Sequence, residues 1–457
     1  MGLDRFFGLS EAGTDVKTEV VGGLTTYLTM SYILFVQPAF LSAAGMDGGA
    51  VLTATCIASG VACLIMGLWA RYPVALAPGM GLNAFFAFTV CGAMGIPWQQ
   101  ALGLVVMSGV LFLLLGLAGL RERLVAIVPE GLRHGIAAGI GLFIAFIGLK
   151  EGGWIVVDPN TFVGTTGLAD RWQVVVTSGS GFAVAAVATV RRWPAPVLLG
   201  IATSVVVGAS TGIAQWHGVV SAPPSLAPTA FAVDFAGLMT PTHIGLILLF
   251  LYTDLFDTVG TLMGVATQAE MIGPDGKLPR GGRAFFADAV GTTVGGFLGT
   301  STVTSYIEST AGVAAGARTG LAATTVGLLF FASLFFYPLA QTVGGATPIQ
   351  VDMMTAAGPA SHTLFVHPMT APALLLIGAM MARSLGHIQW KVPRHGIPAF
   401  LTVVGIPLTF SIADGISLGI LAASGLSLFD REGEPASPWL HVVAAALALR
   451  WITELVG

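Results

Sequence analysis

Charge is what this chain lacks. Lys and Arg number 19 and Asp and Glu 23 among 457 residues, 9% in all, against about 25% in an ordinary soluble domain. A dispersed soluble surface of roughly 25–35% charged residues cannot be built from that supply. A mean hydropathy of +0.85 likewise means more apolar residues than one core hides. Cysteine is scarce as well. Its three copies, Cys56, Cys63 and Cys91, lie in apolar stretches and exclude a disulfide scaffold. A net charge of −4 excludes a nucleic-acid partner. None of the eight histidines stands with Cys or acids at metal-ligand spacing, so no metal or cofactor is expected. Met1 to Glu19 has no basic stretch leading into a cleavable apolar core, so no signal peptide is expected.

What is present is apolar: 55% hydrophobic residues and 61 glycines, about twice the usual glycine share of roughly 7%. In a bilayer, small residues let helices approach closely and permit local breaks. The expected class is an all-α polytopic membrane protein. Windows of about 20 apolar residues fall near 20–40, 50–69, 74–92, 97–120, 132–149, 172–190 and 194–214. After a polar stretch, others fall near 243–265, 283–299, 301–317, 319–341, 365–382, 397–411 and 413–428. That predicts 14 segments. The organisation expected is a tail at 1–19, a first repeat at 20–214, an external connection at 215–242, a second repeat at 243–428 and a cytoplasmic tail at 429–457. The apolar stretch 438–456 carries Arg450 and Glu454 and reads as an interfacial helix.

Lys and Arg accumulate in cytoplasmic loops, which tests the count. With the N-terminus inside, only Lys150 and Arg171 of the 19 positive residues fall outside. Arg5, Lys17, Arg71, Arg121, Arg123, Arg133, Arg191, Arg192, Lys277, Arg280, Arg283, Arg318, Arg383, Lys391, Arg394, Arg431 and Arg450 all face the cytoplasm. Seven spans per half make the halves inverted repeats, a transporter signature.

The third and tenth segments differ from lipid-facing helices. Pro78, Gly79 and Gly81 interrupt the first. Thr300 to Ser305 is a hydroxyl-rich run, with β-branched Thr and Val, that favours extended backbone in the second. Such backbone survives at membrane depth only inside protein or along a cavity. A short helix starting there points its amides at a ligand. Three acids lie in or beside apolar spans: Asp254, Asp257 and Glu308. Each costs at least about 2.5–3.5 kcal/mol at a helix centre and reads as functional. Asp254 and Asp257, three apart, share a helix face, and one of the two is expected to be structural. Asn83 stands in the first broken segment opposite Glu308, and the aromatic rings beside it, Phe86 among them, suit stacking on a planar ligand. Asp288, five residues after Arg283, is expected to pair with it near the inner surface.

Four stretches carry a family resemblance: Thr26 to Pro38 (TYLTMSYILFVQP), Ala77 to Phe86 (APGMGLNAFF), Leu255 to Thr261 (LFDTVGT), and Gly299 to Ser309 (GTSTVTSYIES) followed by Gly316 to Gly320 (GARTG). They resemble the AzgA-like purine permeases among the nucleobase:cation symporters, relatives of uracil and xanthine permeases. The resemblance covers nearly the whole chain. It implies a 7+7 inverted repeat with core and gate domains, a gate that often dimerises, and proton-coupled uptake of adenine, guanine or hypoxanthine across the cytoplasmic membrane. It also implies that Glu308, Asp257, Asp254 and Asn83 meet the base, with Phe86 and Ser305 beside them, and that Glu308 or Asp257 carries the proton. The alternative is an inorganic anion exchanger of the same architecture. Nothing in the chain suggests an enzyme.

Overall fold

The structure, a computed structural model, describes residues 2–118, 130–158, 162–165, 167–272, 278–355, 358–429 and 437–456. Arg121, Arg123, Lys277 and Arg431, assigned above to the cytoplasmic side, lie outside the described residues.

Helices dominate. They are α1 (Leu3–Phe7), α2 (Val16–Met30), α3 (Ile33–Ala43), α4 (Gly48–Ile65), α5 (Met80–Ala84), α6 (Trp98–Leu117), α7 (Glu130–Glu151), α8 (Trp172–Val190) and α9 (Pro196–Ser210). After a long irregular connection come α10 (Pro241–Gln268), α11 (Gly281–Leu298), α12 (Ser309–Ala314), α13 (Gly320–Ser333) and α14 (Tyr337–Val343). The chain closes with α15 (Ala371–Met381), α16 (Pro393–Thr409), α17 (Ile412–Phe429) and α18 (Pro438–Val456). Among the described residues, seven helices or continuous helix pairs are long and apolar enough to cross a membrane; α13 and α14 pass the same test only when taken together, across a bend of 85°. Other apolar windows hold shorter helices. Window hydropathy does not register where Pro, Gly and extended backbone cut a helix short.

The strands are brief. β1 (Leu76–Pro78) pairs antiparallel with β4 (Val303–Ser305), Leu76 facing Ser305 and Pro78 facing Val303. β2 (Val156–Asp158) pairs with β3 (Phe162–Gly164). The stretch 348–362, unassigned by pattern, belongs to a hairpin of β5 (Thr347–Thr355) and β6 (Gly358–Val366). The all-α expectation holds as a mostly helical fold to which this hairpin is added; it lies almost wholly between the windows at 319–341 and 365–382, where the length of a spanning helix assigns no element.

Two compact units divide the chain: Met1–Leu113 with Ile147–Leu376, and Leu114–Phe146 with Ile377–Gly457. In the first, glycines let backbones touch. A Cβ at Gly320 would sit 2.0 Å from the Gly67 carbonyl, so α13 meets the π-helical continuation of α4, Met66–Ala70, with no room for a side chain. The first long helix begins at Val16, so the last residues of the expected tail are helical and Glu19 is fully buried. In the second unit, α16 and α17 form a tight helical hairpin turned at Phe410, whose φ is 53°. Its core joins Ala138, Ile388, Ala399 and Val403.

Candidate functional site

β1 and β4 stand back to back, fully buried, and their pairing gives each strand the hydrogen bonds that burial demands. The pairing extends past both ends. Gly79 N–H donates to Thr302 O at 3.0 Å and Tyr306 N–H to Ala75 O at 2.9 Å. Each strand then runs into a short helix: β1 into α5, which carries Asn83, and β4 into α12, which Glu308 precedes. Both segments singled out by composition are thus extended chain followed by helix.

α10 packs beside this pair and carries the two aspartates to different places. Asp254 is buried, and its Oδ2 accepts from the Thr292 hydroxyl at 3.1 Å. Asp257 is exposed and has no hydrogen-bond partner among the described residues. Its carboxylate lies 3.7 Å from where a Cβ on Gly79 would stand, next to the start of α5. Glu308, partly buried, is its electrostatic neighbour. A helix spacing of three therefore did not keep both aspartates on one accessible face, because α11 covers the side on which Asp254 sits.

Asp288 is corrected. It makes no ion pair with Arg283, whose guanidinium donates to Trp69 O at 3.4 Å and lies over the Trp69 ring. Asp288 is instead buried among hydroxyls. Its Oδ1 accepts from Thr258 at 2.7 Å and from Ser305 at 3.1 Å, and Thr258 also meets Thr304 at 2.9 Å. On α11 the chain turns Asp288 towards α10 and β4 rather than along its own helix. The pattern Thr258, Ser305 and Asp288, each in an apolar stretch, was the available signal.

Asn83 is fully buried. Its Oδ1 accepts from the Ser301 hydroxyl, and its amide reaches Pro78 O only at 3.4 Å. Phe86 is fully buried, and the neighbouring Phe85 ring packs on Phe250 at 5.0 Å. Two residues absent from the sequence expectation reach the same place from α3 and the break before it. Tyr32 donates to Glu308 Oε1 at 2.9 Å, and Gln37 donates to Thr300 and Ser301. A cavity of about 430 Å³, lined by residues including Gln215, His217, Tyr337, Gln341 and His367, lies elsewhere, and none of the six candidate residues lines it. Among the described residues no group of His, Cys, Asp and Glu is arranged to hold a metal ion.

Chain-wide sequence similarity decides the family. The profile of Xan_ur_permease, described as Permease family, matches residues 17–418. The chain belongs to that family. The permease is 40% identical over 98% of its length to the adenine permease AdeP of Escherichia coli strain K12, covering 95% of that protein. It is 43% identical over 92% of its length to the guanine/hypoxanthine permease PbuG of Bacillus subtilis strain 168, covering 92% of it. In three dimensions the permease resembles the transmembrane domain of a cyanobacterial bicarbonate transporter, BicA. That match has a TM-score of 0.61 at 12% identity, over 87% of this chain and 97% of that one. The structure of SLC26A9 matches with a TM-score of 0.64 at 12% identity, over 93% and 69%. These two matches show the fold alone, a mostly helical membrane-type architecture.

Proposed function

We propose that this permease imports purine nucleobases across the cytoplasmic membrane by proton symport. The observation that carries the reading is the pair Asp257 and Glu308, two neighbouring carboxyls beside the β1–β4 pair in a chain 40–43% identical to purine permeases. In this reading 14 segments form two inverted repeats, with the N-terminus in the cytoplasm. One domain moves against another to expose the site to each side in turn, and two chains dimerise through the gate.

The chemistry follows from donor and acceptor counts. A purine presents ring N–H groups and unprotonated ring nitrogens on one plane. An ionised Glu308 accepts from a ring N–H, while a protonated Asp257 donates to a ring nitrogen. Asn83 supplies an amide, Ser305 a hydroxyl and Phe86 the apolar wall. Asp254 and Asp288 hold α10, α11 and β4 in register from behind. A base that lacks one partner leaves a buried polar group unpaired, about 1–3 kcal/mol or roughly 5- to 150-fold in affinity. Moving a proton with the base requires a carboxyl that is protonated facing out and deprotonated facing in; in this reading Asp257, with no hydrogen-bond partner among the described residues, makes that change.

Uptake of radiolabelled adenine and hypoxanthine tests the assignment in cells carrying Glu308→Gln, Asp257→Asn or Asp254→Asn. The first two should abolish accumulation, and full uptake in both would remove the site, whatever the effect of the third. Anion exchange is the second reading, favoured by the fold likeness to BicA and SLC26A9. Clustered carboxylates repel anions, so thermal stabilisation by purines and not by sulfate or bicarbonate is expected.

A further inference from the structure

One short helix, α3, reaches both halves of the candidate site. The long helix that opens the first repeat breaks between Met30 and Ile33, and Tyr32 sits in the break with its ring fully buried. Its hydroxyl donates to Glu308 Oε1 at 2.9 Å across 276 residues of sequence. Gln37, five residues on and fully buried, donates from one amide nitrogen to Thr300 Oγ1 at 3.0 Å and to Ser301 Oγ at 3.1 Å. Ser301, with its oxygen accepting from Gln37, turns its own proton to Asn83 Oδ1.

We propose that Tyr32 and Gln37 are positioning residues that fix a matched acceptor and donor for the ligand's edge, Glu308 Oε2 and the Asn83 amide. The inference rests on the purine reading of the site and deepens it. Tyr32 fills one oxygen of Glu308, and the other has no side-chain partner among the described residues. Gln37 acts at one remove. By setting the direction of the Ser301 hydroxyl it commits the Asn83 oxygen, which leaves Asn83 Nδ2, held only by long bonds to Pro78 O at 3.4 Å and Met80 Sδ at 3.8 Å, as the donor a ligand can compete for. An acceptor and a donor held in place suit a planar heterocycle that shows an N–H and a ring nitrogen or carbonyl along one edge. Unheld, a glutamate side chain would have to be ordered at each binding event.

Purine uptake kinetics in the full-length protein read this directly. Tyr32→Phe keeps the ring and removes the donor; KM should rise about 5- to 50-fold, with maximal rate within about twofold, and Gln37→Leu should do the same. An unchanged KM in both variants overturns the proposal, and so does a parallel loss of maximal rate and of protein stability. A second measurement needs no ligand. Melting temperatures of purified wild type, Tyr32→Phe, Glu308→Gln and the double variant should be non-additive, and additivity removes the Tyr32 link. If the wild type takes up no purine, the transport reading fails while the melting cycle still judges the Tyr32–Glu308 bond.

Discussion

Glu19 Oε1 accepts the backbone N–H of Arg318 at 2.7 Å, joining α2 to the start of α13 across 299 residues of sequence. The same carboxylate takes the N–H groups of Thr319 at 3.0 Å and Ala322 at 3.3 Å, so a buried side chain from one helix caps the N-terminus of another. Anionic oxygens are favoured at that end by the helix dipole.

Glu19→Ala leaves three buried donors without an acceptor, at about 1 kcal/mol or more each. Purified protein should melt several degrees lower, and Glu19→Gln, which keeps one oxygen, should fall between. Equal melting temperatures for Glu19→Ala and wild type would show that the cap carries no stability.

Asp288 and Arg283 should behave as independent residues. Asp288→Ala removes the acceptor for Thr258 and Ser305 and should destabilise the protein by about 1–3 kcal/mol, with reduced uptake. Arg283→Gln should change little, and the double variant should show the sum of the two effects. A double variant no worse than Asp288→Ala alone, with a matching loss in Arg283→Gln, would restore the ion pair expected from spacing.

Gly79 is required for steric reasons at this position. A Cβ there would stand 2.7 Å from the Thr304 methyl, although its φ of −72° suits any residue. Gly79→Ala should therefore lower uptake and stability. Thr304→Ser deletes the offending methyl while keeping the hydroxyl that meets Thr258, so the double variant should recover much of the loss. Failure to recover would show that the Thr304 methyl is not what excludes a Cβ at residue 79.

Asp15 caps α2 from outside the spanning region, and its carboxyl accepts from Thr18 N–H at 2.7 Å. That backbone bond holds its pKa below the usual carboxylate value of 3.8. A depressed folded pKa contributes stability that is present above the unfolded value and lost as pH falls through the folded one. Asp15→Ala should thus lower the melting temperature at pH 7. The difference should shrink progressively below about pH 4. A difference that does not change with pH would mean that the carboxylate charge plays no part in the cap.

The two interrupted segments were legible from residue type alone. Pro78 with Gly79 and Gly81, and the run from Thr300 to Ser305, cannot propagate a helix easily, and the structure has β1 and β4 there. The pairing of these strands was not legible, since nothing in either run names its partner. The hairpin of β5 and β6 was not legible because nearly all of its residues fall between the windows at 319–341 and 365–382, where a search for spanning lengths assigns nothing.

The sequence by itself determined the class of protein and the residues worth attention. Scarce charge, long apolar windows, and acids and an amide inside them are local quantities, and the cost of placing such groups in hydrocarbon is set by residue type alone. Only the tertiary structure decided what each one meets. It buried Asp254 and exposed Asp257, turned Asp288 from Arg283 towards Thr258, and brought Tyr32 to Glu308. These outcomes depend on hydrogen bonds between segments up to 276 residues apart. Which partners meet is fixed by how helices and strands pack, which no local periodicity records.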